Sequence, residues 1–214
     1  MKNLKESKLF NAKSFFPIVI LFCLTFAMQL SNAQSEAGEL LKNIQHKFGS
    51  ISDLSAEITQ SVNGNINMKG KLYFKKENRL RFEFKNILII SDGETSWNYN
   101  EKDNKVIITD YESEENKILS IRQLIYEYPD ACELSTYESE GNKVLQLIPM
   151  DNTFSFNSIA LFVDEDNLIT RALVDDPATG EIQIDFTKYQ LNKNLPDSYF
   201  SFSPPEGSQV LDLR

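Results

Sequence analysis

Residues 79–85, Arg-Leu-Arg-Phe-Glu-Phe-Lys, alternate apolar and charged side chains without a break. Successive side chains of a strand point to opposite faces, so this pattern places Leu80, Phe82 and Phe84 together on one face. The charged residues then line the other face. Such alternation is typical of an antiparallel sheet with one dry and one solvated face, and it predicts a strand here.

The neighbouring segments extend this apolar face. Asp92-Gly93 predicts a tight turn into a strand in which Trp97 and Tyr99 share a face. We therefore expect one broad apolar wall. Its predicted members are Leu72, Phe74, Leu80, Phe82, Phe84, Trp97 and Tyr99. Either helices seal this wall as ordinary core, or it lines a cavity for an apolar ligand, and the sequence leaves both interpretations open.

The same alternation, interrupted by turn residues, predicts about ten or eleven strands. That number favours one strongly curved antiparallel sheet, or open barrel, over a flat sheet. Apolar residues at helical spacing predict a helix over residues 35–48 and a second over residues 117–128, which Pro129 would end. We expect a mainly β fold with a few helices, in a single domain.

The second predicted helix places Ile118, Ile121, Leu124 and Ile125 along one side. This side either packs permanently on the sheet or forms a movable lid over the apolar wall. The two interpretations have equal weight at this stage.

The first residues have the features of a signal peptide. Four lysines precede an apolar run from Phe15 to Met28, and Ser31-Asn32-Ala33 supplies the small residues of a cleavage site. We expect residues 1–33 to be removed and residues 34–214 to form the domain. The whole chain carries a net charge of −9 and residues 1–33 carry +3, so the mature domain carries −12. This charge disfavours binding to nucleic acid or to anionic membranes.

Candidate catalytic and metal-binding residues lack the partners that such sites require. His46 is the single histidine, and Cys132 is the single thiol after cleavage, so we interpret them as a surface residue and a small core residue. Asp164, Asp166, Asp175 and Asp176 do not follow a calcium-loop spacing and are interpreted as turn residues. We expect no metal or cofactor. A pair of carboxylates for glycoside cleavage stays open because only geometry would reveal it.

Four segments together resemble the periplasmic outer-membrane lipoprotein carrier family of the LolA type. They are residues 58–60, residues 70–76, residues 90–93 with 97–99, and residues 200–207. The resemblance implies an incomplete β-barrel whose open side is covered by helices. It also implies a periplasmic monomer that accepts acylated lipoproteins from an inner-membrane, ATP-driven release complex. The carrier would pass them to an outer-membrane receptor, with only transient membrane contact.

The chain departs from this family at Lys76-Glu77, where the family reads Arg-Pro. The family arginine is thought to tie the barrel to its lid, so the resemblance makes Lys76 a candidate latch, although a lysine lacks the fork geometry of an arginine. Three alternatives to lipoprotein transport remain. They are an envelope-stress sensor on the same fold, a carrier of another amphiphile such as a glycolipid, and a secreted hydrolase.

Overall fold

The computed structural model describes residues 36–111 and 122–214. Within them, a helix α1 at residues 36–50 precedes twelve strands. The strands are β1 (Asp53–Val62), β2 (Asn65–Lys75), β3 (Arg79–Phe84), β4 (Ile87–Ser91), β5 (Thr95–Asn100), β6 (Lys105–Asp110), β7 (Cys132–Ser139), β8 (Asn142–Pro149), β9 (Ser158–Val163), β10 (Ile169–Asp176), β11 (Gly180–Leu191) and β12 (Gln209–Asp212).

All twelve strands form one open sheet, in the order β12-β6-β5-β4-β3-β2-β1-β11-β10-β9-β8-β7. Every pairing is antiparallel except that of β12 with β6, which is parallel. The predicted mainly β fold with a single open, curved sheet is confirmed. The terminal strand β12 begins at Gln209, beyond Pro204-Pro205. Prolines cannot donate to a ladder, so the edge strand begins only beyond them.

Helix α1 fills one part of the inner face of the sheet. Ala37, Leu40, Ile44 and Phe48 of α1 are buried in one core cluster, and the ring centroids of Phe48 and Phe74 are 5.8 Å apart. The sheet contributes to this cluster from β1, β2 and β7–β11. Among the described residues, the cluster reaches β3 through half-buried side chains and includes none from β4, β5 or β6. The inner face is therefore packed under α1 and continues beyond it.

The second helical segment is irregular. Its described part consists of a π-helical turn at Gln123–Glu127 and a 3₁₀ turn at Tyr128–Ala131. The π-helical turn ends at Glu127, with Tyr128 as its C-cap, next to Pro129 as predicted. Pro129 lies in the first positions of the following 3₁₀ turn, where no intrahelical N–H bond is lost. Leu124 and Ile125 are buried in the main core cluster. The predicted lid residues Ile118 and Ile121, and the predicted signal peptide, lie outside the described residues.

A segment that we call the strap, residues 192–208, crosses the outer face of β2–β5 on its way from β11 to β12. Lys75 Nζ donates to the carbonyl oxygen of Leu195 at 2.8 Å, and Arg81 donates to that of Tyr199 at 3.2 Å. Phe200 within the strap is buried. Both faces of this half of the sheet are therefore involved in packing. Among the described residues, no helix is long and apolar enough to span a membrane.

Candidate functional site

The register of β2–β6 shows which side chains share a face. Phe82 on β3 lies opposite Leu72 on β2 and Ile89 on β4, and the same row continues to Asn98 on β5 and Ile107 on β6. Directly opposed residues of an antiparallel pair point to the same side. Because Leu72 belongs to the core cluster with α1, this row lies on the inner face.

The predicted wall is present on the inner face through its β2 and β3 members. Leu72 is only 1% exposed and is ordinary core, whereas Phe74, Leu80 and Phe82 are half-buried against the core cluster. Phe84 is half-buried outside that cluster, and its ring stacks on that of Phe82 with centroids 6.1 Å apart and planes inclined by 9°. Burial along the wall therefore decreases from Leu72, which is closed core, to the partly exposed aromatic pair of Phe82 and Phe84.

The prediction that Trp97 and Tyr99 belong to the same wall was wrong. Trp97 lies opposite Ile90 and Ile108, and Ile90 lies opposite Arg81, which alternates with Phe82 along β3. Both aromatic residues are therefore on the outer face. There the ring of Tyr99 packs against Phe202 of the strap, with centroids 5.6 Å apart.

Sequence reasoning missed the inner-face residues of β4 to β6. Ile87 and Ile89 continue the apolar surface, and a groove of about 350 Å³ follows next to them. Its lining residues are Ile87, Asn98, Asn100, Asp103, Lys105 and Ile107. The signal was present in Ile87-Leu88-Ile89-Ile90, because a strand that is apolar on both sides indicates a sheet with two covered faces.

The candidate latch Lys76 lies in the β2–β3 turn with an exposed side chain. Its backbone N–H donates to the carbonyl oxygen of Ser52 at 3.0 Å, but within the described chain its ammonium group has no hydrogen bond or ion pair. Two residues later, Asn78 Oδ1 accepts a hydrogen bond from Arg122 at 3.4 Å. The turn does contact the second helical segment, through Asn78.

The residues that lack the partners of a catalytic or metal site have structural positions. His46 is exposed on α1, and Cys132 is buried at the start of β7, where burial raises the pKa of its thiol. Asp164 Oδ1 accepts the backbone N–H groups of Asp166 and Leu168, which confirms its interpretation as a turn residue. In residues 36–111 and 122–214, no three His, Cys, Asp or Glu residues are arranged to hold a metal ion.

A second pocket, of about 450 Å³, lies between α1 and the β7–β8 hairpin. Glu36, Glu39, Glu138 and Lys143 are among its lining residues, most of which are polar. Charged walls cannot replace the water around an acyl chain, so this pocket does not suit a purely apolar ligand. The inner face of β2–β6 is the better candidate site.

The family model described as outer membrane lipoprotein carrier protein LolA matches residues 50–203. An uncharacterised protein of Methanocaldococcus jannaschii is 26% identical over 188 residues, which cover 83% of this chain and 54% of that protein. The chain thus spans about half the length of this curated relative.

One crystal structure is similar in fold, and a second gives a weaker match. An uncharacterised conserved protein from Thermus thermophilus matches with a TM-score of 0.57 at 13% identity, over 83% of this chain and 99% of that one. A LolA superfamily protein from Nitrosomonas europaea has a TM-score of 0.43 at 12% identity, over 78% of this chain and 97% of that one. Since the family model covers well over half of the sequence, the chain belongs to the outer membrane lipoprotein carrier protein LolA family.

Proposed function

We propose that this protein is an exported carrier that shelters the acyl chains of lipoproteins against the inner face of its sheet. The observation that carries the proposal is the partly open aromatic pair of Phe82 and Phe84, which lies beside Ile87 and Ile89 and next to a fully packed core. Apolar side chains beside a filled core that remain half-exposed after folding leave apolar surface to which an apolar ligand can bind. Membership of the LolA family supports the same function.

The energy of acyl transfer explains why such a surface suits a carrier. Exposing an acyl chain to water costs about 0.8 kcal/mol per methylene, or roughly 12 kcal/mol for a chain of about 16 carbons. An aromatic and aliphatic wall offsets much of this cost without fixed polar contacts. Contacts of this kind do not impose one bound geometry, so the ligand is retained in transit and released at the acceptor.

The proposal includes a movable cover that contains Leu124 and Ile125. Polar contacts connect the described part of this segment to the rest of the protein, among them those of Arg122 with Asn78 Oδ1 and of the Met150 N–H with the carbonyl oxygen of Ala131. Gln45 Nε2 donates to the carbonyl oxygen of Ile125 at 2.7 Å, and Tyr126 Oη donates to the carbonyl oxygen of Gln45 at 3.1 Å. Displacement of the segment would break these bonds and expose two aliphatic side chains, at a cost that bound acyl chains can offset.

The proposed pathway follows the family to which the chain belongs. The protein would receive acylated lipoproteins from an inner-membrane, ATP-driven release complex and deliver them to an outer-membrane receptor, acting as a periplasmic monomer. The net charge of −12 on residues 34–214 disfavours persistent docking on an anionic membrane surface, which suits a carrier that leaves each membrane.

The test compares two aromatic residues on opposite faces of the same sheet. Phe82→Glu places a carboxylate on the inner face, and Trp97→Glu places one at a half-buried outer-face position. Each purified variant is incubated with a detergent-free acylated lipoprotein, and the lipoprotein that remains soluble is measured. We expect Phe82→Glu to abolish solubilisation and Trp97→Glu to retain most of it. Equal loss in two folded variants would contradict the proposed face.

A milder variant separates loss of binding from loss of folding. Phe84 is outside the core cluster, so Phe84→Ser should fold even if Phe82→Glu does not. The proposal fails if folded Phe84→Ser and wild type solubilise the lipoprotein equally and native mass spectrometry of wild type isolated from cells finds no acylated ligand. Binding without transfer to outer membranes would instead favour a sensor. Hydrolysis of a glycoside substrate would favour an enzyme.

A further inference from the structure

The inner face of β2–β6 changes in polarity from its centre towards its edge. On β4, the inner-facing residues next to the aromatic pair are aliphatic, namely Ile87 and Ile89. On β5 the corresponding positions are amides, because Ile87 lies opposite Asn100 and Ile89 lies opposite Asn98. The next position, on β6 opposite Asn100, is Lys105. The row of Ile87 therefore leads to an amide and then to a cation, whereas the row of Ile89 leads through an amide to Ile107.

Lys105 is the single cation among the six residues that line the groove. It is exposed, and within the described chain its ammonium group has no ion pair or hydrogen bond. The one carboxylate of the groove, that of Asp103, accepts a hydrogen bond from Asn100 Nδ2 at 2.8 Å. Two other cations of the sheet are paired, Lys75 with Asp197 and Arg171 with Asp185. Lys105 therefore has its donors available for a ligand.

We infer that this groove binds the anionic headgroup of an amphiphile whose acyl chain lies across the strands towards Phe84 and Phe82. Neighbouring strands are about 4.8 Å apart, so the row from β3 to β6 spans about 14 Å, enough for a large part of an acyl chain. Lys105 would pair with a phosphate or carboxylate, and the side-chain amide of Asn98, which has no hydrogen bond within the described chain, would donate to one of its oxygens. This inference rests on the proposed function, because it assigns the polar end of the same site.

The experiment compares two ligands with the same chain and different heads, lysophosphatidic acid and monoacylglycerol. Both are titrated below their critical micelle concentrations by calorimetry at low ionic strength. We expect wild type to bind the anionic ligand more tightly, and Lys105→Gln to weaken that binding about threefold to tenfold while leaving monoacylglycerol unchanged. Lys102→Gln is the matched control, because Lys102 is an exposed lysine of the adjacent β5–β6 turn that does not line the groove.

A substitution that should have the opposite effect on binding strengthens the test. Asp103→Asn removes the negative charge of the groove while keeping an oxygen that can accept from Asn100, so it should tighten binding of lysophosphatidic acid and leave monoacylglycerol unaffected. Raising the salt concentration should reduce the preference of wild type, because ions screen exposed charges. Inorganic phosphate alone should bind far more weakly than the amphiphile, since it has no chain to place on the aromatic pair.

The outcomes separate the two proposals. If wild type binds both amphiphiles equally and Lys105→Gln changes neither affinity, the headgroup site is wrong and the acyl-chain site stands. If Lys102→Gln weakens anionic binding as much as Lys105→Gln, net charge and not the groove sets the preference. If inorganic phosphate binds as tightly as lysophosphatidic acid, the groove is a simple anion site. If folded wild type binds neither amphiphile, the proposed function fails together with this inference.

Discussion

The ring of Phe84 occupies the space that a side chain on Gly70 would need. The two residues lie directly opposite each other in the β2–β3 ladder, and a Cβ atom on Gly70 would be 2.6 Å from Cδ1 of Phe84. It would also be 2.2 Å from the carbonyl oxygen of Glu83. The position of the outermost aromatic residue of the site therefore depends on a glycine in the neighbouring strand.

We predict that Gly70→Ala both destabilises the protein and weakens binding of an acyl chain. Overpacking of this kind costs about 1–3 kcal/mol, and the backbone oxygen of Glu83 cannot move as easily as a flexible side chain. Urea unfolding measures the first effect, and amphiphile titration measures the second. Gly38→Ala in α1 is the control, because an added Cβ there has no neighbour within 4 Å. It should stabilise the protein by about 0.5 kcal/mol. If folded Gly70→Ala binds the amphiphile with unchanged affinity, Phe84 is not part of the binding site.

A second prediction concerns a buried carboxylate of β1 that accepts hydrogen bonds from the start of the strap. Asp53 is 2% exposed, and its two oxygens accept the backbone N–H groups of Lys193 at 2.8 Å and Asn194 at 3.0 Å. Asp53→Asn would direct an NH₂ group at one of these donors and leave it without an acceptor. We expect a loss of about 1–3 kcal/mol in the free energy of unfolding. Asp130→Asn, at an exposed position, should change it little. Equal effects would show that the strap does not depend on this carboxylate.

The sequence was sufficient for the sheet and for part of the site. Strict alternation in β3 correctly predicted that Leu80, Phe82 and Phe84 share a face, because this pattern is local to one strand. The burial of Cys132 and the turn role of Asp164 also followed from local chemistry. These features need no knowledge of how one strand is aligned with another.

The prediction of the face for Trp97 failed because it depends on the register between strands, which the residues of a single strand do not determine. Ser91 lies opposite Ser96, so the intervening turn places Trp97 on the face opposite to Phe82. A turn shifted by one residue would have reversed this assignment. The outer face also carries aromatic residues, because the strap covers it and buries Phe200. Aromatic content could not reveal which face was the inner one. Phe200-Ser201-Phe202-Ser203 in the strap alternates as a strand would, so its pattern did not identify it as a covering segment.

Acid should loosen the attachment of the strap. The hydrogen bond from Lys75, with a smaller contribution from Arg79, holds the pKa of the Asp197 carboxyl below its usual value of 3.8. A carboxyl whose pKa is lowered by folding stabilises the native state above its unfolded pKa, and this contribution is lost as the pH falls through the lowered value. Asp197→Asn should therefore lower the denaturation midpoint at pH 7 and have no effect well below pH 3.8.

Urea midpoints of wild type and Asp197→Asn between pH 2.5 and pH 7 measure this difference. Asp166→Asn is the control, because the Asp166 side chain is exposed and has no hydrogen bond or ion pair within the described chain. A difference between wild type and Asp197→Asn that stays constant with pH would mean that the ion pair is not its cause.

The last prediction concerns the cover, which is hydrogen-bonded to Gln45 of α1. Gln45→Ala removes the hydrogen bond to the carbonyl oxygen of Ile125, and Tyr126→Phe removes the bond from Tyr126 Oη to the carbonyl oxygen of Gln45. Each loss should cost about 0.5–1.5 kcal/mol, and should raise the population of the state in which Leu124 and Ile125 are displaced. If that state is the one that admits ligand, apparent affinity for an acyl chain should rise as hydrogen-exchange protection over residues 122–131 falls. Lys42→Ala, an exposed change on the same helix, should alter neither quantity. A loss of protection without any gain in affinity would show that the segment is permanent core and not a cover.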